Sequence, residues 1–219
     1  MDMKISGAGA IGAGEYDNVR ISGSAKSEGL IRCKSFHASG SFSGGEIECS
    51  EDFHVSGAGK FAGNIRAKEI HVSGAIKTEG SVKGKEIKLS GAIKTGGDVE
   101  AEEIKINGEI NCGGLINAEK LCVAFDSSAD SKAENIGGSE IKMSKSISGN
   151  LFSLIFKKLG RFIVSESIEG DKSDIEYTKA KTVTGKYVII GDGCEIELLQ
   201  YSENAEISPK AKIGKCEKI

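Results

Sequence analysis

The sequence repeats every seventeen residues through most of its first half, and few folds can accommodate so short a period. Copies of an alternating apolar pair followed by Ser-Gly or Asn-Gly stand at Val19-Arg20-Ile21-Ser22-Gly23, Phe36-His37-Ala38-Ser39-Gly40, Phe53-His54-Val55-Ser56-Gly57, Ile70-His71-Val72-Ser73-Gly74, Ile87-Lys88-Leu89-Ser90-Gly91 and Ile104-Lys105-Ile106-Asn107-Gly108. A partial copy, Ile5-Ser6-Gly7, precedes the first by sixteen residues, and Leu121-Cys122-Val123 opens another in register, which makes at least seven coils. A fixed short period is the mark of stacked units, none of which can bury its apolar face alone.

Inside each repeat the small and apolar residues fall on alternate positions. One coil reads Ile70, Val72, Gly74, Ile76, Thr78, Gly80, Val82 and Gly84, and a single step of three then reaches Ile87. Period two is the strand signature, and the residues between (His71, Ser73, Lys77, Glu79, Lys83) are polar and face out. Composition agrees, since 27 isoleucines stand against 9 leucines, and β-branched side chains suit a pleated surface better than a helix. No segment has the length or the period of a crossover helix, so each unit must return to stack on its neighbour, with inward glycines marking the corners. These features predict an all-β protein, a parallel β-solenoid with coils of about 17 residues.

Two places break the pattern. In the repeat over 36–52, strict alternation would turn Glu46 and Glu48 inward, whereas a slip of one residue turns Ile47 and Cys49 inward, so a bulge is expected near Gly44-Gly45. Beyond Val123 the repeat loosens; Ile141 follows Leu121 by twenty residues, and the last fifty residues read as three further coils, with Ile190 to Ile207 and Ile196 to Ile213 each seventeen apart. Residues 151–163 are apolar on both faces of a strand. On a helix, Leu151, Phe152, Ile155, Phe156, Leu159 and Phe162 gather on one side opposite Lys157 and Arg161, so one short amphipathic helix is expected there, with its apolar side a candidate membrane or partner face. The expected organisation is a first solenoid array over 1–145, a helical insertion over 146–166 and a second, shorter array over 167–219.

Several functions find little support. The formal net charge is −3, and 29 basic and 32 acidic side chains are interspersed, with no basic stripe for nucleic acid. The start lacks the apolar core of a signal peptide, and no apolar run is long enough to span a membrane, which points to the cytoplasm. Gly7-Ala8-Gly9-Ala10-Ile11-Gly12 spells a dinucleotide fingerprint, but no helix pattern follows it and its glycines suit the corners of a first coil. The three histidines, His37, His54 and His71, form one outward file continued by Arg20, Lys88 and Lys105, which reads as a solvated stripe, since zinc ligands converge on a point. No catalytic constellation, metal, cofactor or small-molecule substrate is expected. The six cysteines contain no CxxC pair and read as reduced structural thiols. The isoleucines six apart in Val188-Ile189-Ile190-Gly191-Asp192-Gly193-Cys194-Glu195-Ile196 are similar to the hexapeptide repeat of left-handed β-helix acyltransferases and γ-class carbonic anhydrases, the enzymatic alternative. Those families need 18 residues per coil and histidines that this region lacks.

The Ile-x-Val-Ser-Gly coils, the Ile136-Gly137-Gly138 stretch and the closing Val183-Thr184-Gly185-Lys186-Tyr187-Val188-Ile189-Ile190-Gly191 together resemble the bactofilins, above all the longer variants of Bacillus-type bacteria. The resemblance implies a right-handed β-helix that assembles end to end into filaments without nucleotide. The role it implies is a scaffold in cell shape, envelope or motility, with the chain itself or a paralogue as partner and the inner face of the membrane as a further contact. The chain departs from a typical member in its long second half and in lacking an evident N-terminal membrane-targeting peptide. A solenoid needs caps or partners at both ends, and here the repeat starts within five residues of Met1. The expected polymer contacts are therefore Ile5, Gly7 and Ile11 in the first coil and Ile196, Ile207 and Ile213 in the last.

Overall fold

Alternation along the chain becomes alternation in space. The computed structural model describes residues 1–125, 130–145 and 161–219 as twenty-two β-strands, with no helix among the described residues. Each strand pairs in parallel with the strand one coil away, so that Ile70 lies beside Ile87, Ile87 beside Ile104 and Ile104 beside Leu121. The inward file is the core. Phe53, Val55, Phe61, Ile65, Ala67, Ile70, Val72, Ile76 and Val82 are all buried, while Lys60, Arg66, Lys77 and Lys83 are exposed. Burying such side chains yields about 2 kcal/mol each, and in mid-rod the coils stacked on either side complete the burial.

Near the start the core is aromatic. The rings of Phe36 and Phe53, one coil apart, stack at 5.3 Å, and Phe42 and Phe61 close around them at 5.0 Å from Phe36 and 5.6 Å from Phe53 respectively. Further along, buried Thr78 and Thr95 satisfy corner carbonyls of the coil before, Oγ1 donating to the Gly63 oxygen at 2.5 Å and to the Gly80 oxygen at 2.6 Å. Cys112 continues this file, its thiol donating to the Gly97 oxygen at 3.3 Å.

The Ser-Gly corner explains its own recurrence. A Cβ on Gly40, Gly57, Gly74 or Gly91 would stand 1.9 Å from the carbonyl oxygen of the glycine one coil earlier, closer than any side-chain carbon can approach. The same backbone is held by hydrogen bonds, such as Ser41 N–H to the Gly23 oxygen and Ala58 N–H to the Gly40 oxygen.

The slip expected near Gly44-Gly45 is present. Gly44 pairs with Phe61, seventeen residues on, but Ile47 pairs with Ile65, eighteen on, and Ile47 and Cys49 are buried. The step returns to seventeen where Asp52 meets Glu69. The twenty-residue interval also holds, Leu121 pairing with Ile141. In the last coils the interval is fifteen from Ile168 to Val183, sixteen from Val183 to Leu199 and seventeen from Ile190 to Ile207, not the eighteen of a hexapeptide solenoid.

Of the expected helix, residues 151–160 lie outside the described residues. Phe162 and Ile163 are not helical; they begin the strand Phe162–Ile175, with Phe162 fully buried beside Ser131 and Thr178. Phe162 therefore cannot belong to a membrane-facing surface. Alternation holds it in the core, Phe162 and Val164 pointing inward and Ile163 outward. Likewise Ala8 to Gly12 lie in the strand Ala8–Glu15, which gives the glycine motif no helix N-terminus to present to a phosphate.

Candidate functional site: the open ends of the solenoid

A parallel coil in mid-rod has a hydrogen-bonded neighbour on both sides; a terminal coil has one. Met3–Ile5 pairs only with Asn18–Ile21, and Ala8–Glu15 only with Ser24–Ala38. At the other end Lys212–Lys218 pairs only with the strand Glu195–Ile207. Each end therefore presents a row of backbone donors and acceptors with no strand partner among the described residues, which is the template for adding another strand.

The inward files are incompletely covered at these ends. Met3 and Ile5 are half-buried, as are Tyr201, Ala205, Ala211 and Ile213 in the last turn, and Ile207 is 42% exposed. A Cβ on Gly7 meets nothing within 4 Å, whereas one on Gly23 would stand 2.1 Å from the Gly7 oxygen, because Gly7 has no coil before it. Of the six expected contacts, Ile5, Gly7, Ile207 and Ile213 lie on the open ends. Ile11 lies in the end strand Ala8–Glu15 with its side chain buried, 2% exposed, while Ile196, 3% exposed, is roofed by Ile213 in the next coil. The spacing rule located the inward file correctly but could not say which member of it comes last.

The N-terminal coil is tied down by charge. Lys34 Nζ lies 2.7 Å from Asp17, which also binds the terminal ammonium, and Asp2 accepts from the Asn18 amide at 2.7 Å. The Lys34 hydrogen bond, followed by that of the ammonium, holds the Asp17 carboxyl down at about 2.

On the outer face the histidines form the expected file, ring centroids 5.8 Å apart between His37 and His54 and 6.1 Å between His54 and His71. A second file runs beside it, Asp52, Glu69, Glu86 and Glu103. Asp52 binds His37 Nε2 and accepts from Ser35 Oγ at 2.6 Å; burial acts to raise its carboxyl, and the Ser35 and His37 bonds outweigh this and leave it below the usual range. The carboxylate sits between serine and imidazole, so the imidazole cannot take the Ser35 proton and the three do not work as a nucleophilic triad.

One point of convergence escaped the sequence. Ligand atoms of Glu69, His71 and Glu86 lie within 4.8 Å of one another, and these are the residues that could hold a divalent cation. Successive copies of one position run in a file, but here the carboxylates come from the neighbouring file. Lys88 Nζ already occupies Glu86 at 2.7 Å, with Lys105 Nζ at 3.8 Å, and the Lys88 bond is the chief cause that lowers the Glu86 carboxyl.

Residues 2–83 match the model of the bactofilin family, described as polymer-forming cytoskeletal. Two uncharacterised proteins of Bacillus subtilis (strain 168) are similar to it. YhbF is 36% identical over 89 residues, covering 41% of this chain and 35% of YhbF. YhbE is 42% identical over 57 residues, covering 26% of this chain and 24% of YhbE. The chain thus spans about a third or less of the length of these relatives. No solved structure matches it.

Proposed function

We propose that the protein is a structural subunit that polymerises end to end, without nucleotide, into cytoskeletal filaments that scaffold cell shape, envelope or motility machinery. The observation that carries this reading is the pair of unroofed coils at the two ends. Each offers a free parallel-strand edge and half-covered apolar residues, Ile5 at one end and Ile207 and Ile213 at the other. The polymer-forming family supports it. Lateral association has less to gain, because the flanks carry ion pairs such as Lys83 with Glu100 at 2.7 Å and Arg32 with Glu48 at 2.8 Å, whose charges are already matched. The partner is a second copy or a paralogue with the same coil. The working site is the cytoplasm, with the inner membrane face as a further contact; no helix among the described residues is long and apolar enough to cross a membrane.

Negative-stain microscopy of purified protein without nucleotide is the test. Wild type forms filaments; Ile5→Lys and Ile207→Lys remain β-rich by circular dichroism but form short filaments or none, because a charge placed in the joint stays buried and unpaired. Lys77→Glu, on an exposed mid-rod position, changes neither property. Long filaments from the end-coil variants together with failure of the mid-rod variant would place the contact on the flank and overturn the reading.

A further inference from the structure

Cys33 and Cys49 are sixteen residues apart and occupy the same position on two successive coils, paired directly in the parallel ladder. Their sulfurs lie 3.5 Å apart. Both face the core, 7% and 8% exposed. No other two of the six cysteines meet in this way: Cys112 pairs with Thr95, Cys122 with Lys105 and Lys142, and Cys216 with Leu199, while Cys194 donates to the Ile175 oxygen.

We propose that Cys33 and Cys49 are an oxidation site, at which hydrogen peroxide as a two-electron oxidant closes a reversible disulfide staple between adjacent coils. Paired strands lie about 4.8 Å apart, inside the range of Cα separations that a disulfide spans. The chain has slack where it is needed. Cys33 pairs with Cys49 but Ser35 with Asp52, so Lys34 faces two residues, and this bulge lets the sulfurs close by the remaining distance through side-chain rotation.

The chemistry divides between the two thiols. Contact with Cys33, and then burial, push the Cys49 thiol up, and contact with Cys49 holds the Cys33 thiol down; in the S–H···S contact between them either sulfur can be the donor. Cys33 is thus the sulfur that attacks. Its thiolate displaces hydroxide from peroxide: the S–O bond forms, the O–O bond breaks, and the hydroxide leaves as water with a proton, giving a sulfenic acid. The Cys49 sulfur then attacks that sulfur, the S–O bond breaks, and the second water carries away the Cys49 proton. Two thiols and one peroxide become one disulfide and two waters. Peroxide is small enough for a site this enclosed, and the product ties together two of the early coils of the bactofilin domain.

The full-length reduced protein, folded and treated with hydrogen peroxide, tests this by intact mass and by peptide mapping after alkylation in denaturant. The expected product has lost two hydrogens, carries its cross-link between the Cys33 and Cys49 peptides, melts at a higher temperature than the reduced form, and returns to it with dithiothreitol. Cys33→Ala and Cys49→Ala each abolish the cross-link, and in Cys49→Ala dimedone traps a sulfenic acid on Cys33. Exposed Cys216 is the internal standard for oxidant delivery. If Cys216 is fully oxidised while Cys33 and Cys49 still alkylate as free thiols, or if either is found linked to another cysteine, the proposal is wrong.

Discussion

A single hydrogen atom separates tolerance from collapse at the Ser-Gly corner. At Gly40 a methyl group would stand 1.9 Å from the Gly23 oxygen, and neither backbone can yield without breaking the ladder that Ser41 N–H makes to that same oxygen. Gly40→Ala is therefore expected to cost more than about 2 kcal/mol, read as a lower urea midpoint. Gly7, with the same local sequence, has open space around its Cβ position. Gly7→Ala should leave the monomer's midpoint within about 0.5 kcal/mol of wild type. It should shorten filaments all the same, because a stacked neighbour would supply the missing coil and with it the clash. Equal effects of the two substitutions on the monomer would show that corner strain, not the coil before, selects glycine. Tyr177 is the one described non-glycine residue with positive φ, at 49°, a left-handed corner that no pattern of apolar residues announces.

At the scale of an element, the outer face behaves as a set of coupled files. His54 stands between His37 and His71, with Asp52 two residues before it on the same strand; burial first, then the two imidazoles, lower its pKa against the pull of Asp52. Because His54 binds its proton more weakly folded than unfolded, its stabilisation is complete above about pH 6.5 and is lost as the pH falls through the lower folded value. Asp52 acts in the same sense lower down, present above its unfolded value and lost on further acidification. The urea midpoint should fall from pH 7.5 to pH 5, by less than about 1 kcal/mol since the ring is largely exposed, and His54→Gln should flatten that slope. The Glu69, His71 and Glu86 cluster makes a separate prediction. With Lys88 on Glu86, melting should be the same with and without EDTA, and Lys88→Ala should make it sensitive to added zinc. A chelator-sensitive melt of the wild type would show that the ammonium does not hold the site. The histidine file was legible in the sequence because it obeys the period. The carboxylates beside it, and the meeting of Cys33 with Cys49 at an interval of sixteen, were not, because both depend on how files and bulges align.

In the whole molecule, nearly every inward position followed from alternation, since a side chain buried on one face of a coil is fixed by parity alone. Parity does not count coils, so it does not show that Ile196 has Ile213 over it, and Phe162 lies in a strand where the sequence predicts a helix. The same limitation confronts the folding chain. Ala75-Ile76-Lys77-Thr78 and Ala92-Ile93-Lys94-Thr95 are identical and pair residue for residue, so a strand that docked one storey too high would find almost the same partners. The eighteen-residue step from Ile47 to Ile65 and the twenty-residue step from Leu121 to Ile141 are the places where such a mistake cannot go unnoticed. Together with the sixteen-residue step from Cys33 to Cys49 and the shorter steps of the last coils, they serve as index marks on the scale, and evening all of them out to seventeen would leave a rod that packs well but has lost its means of numbering its own floors.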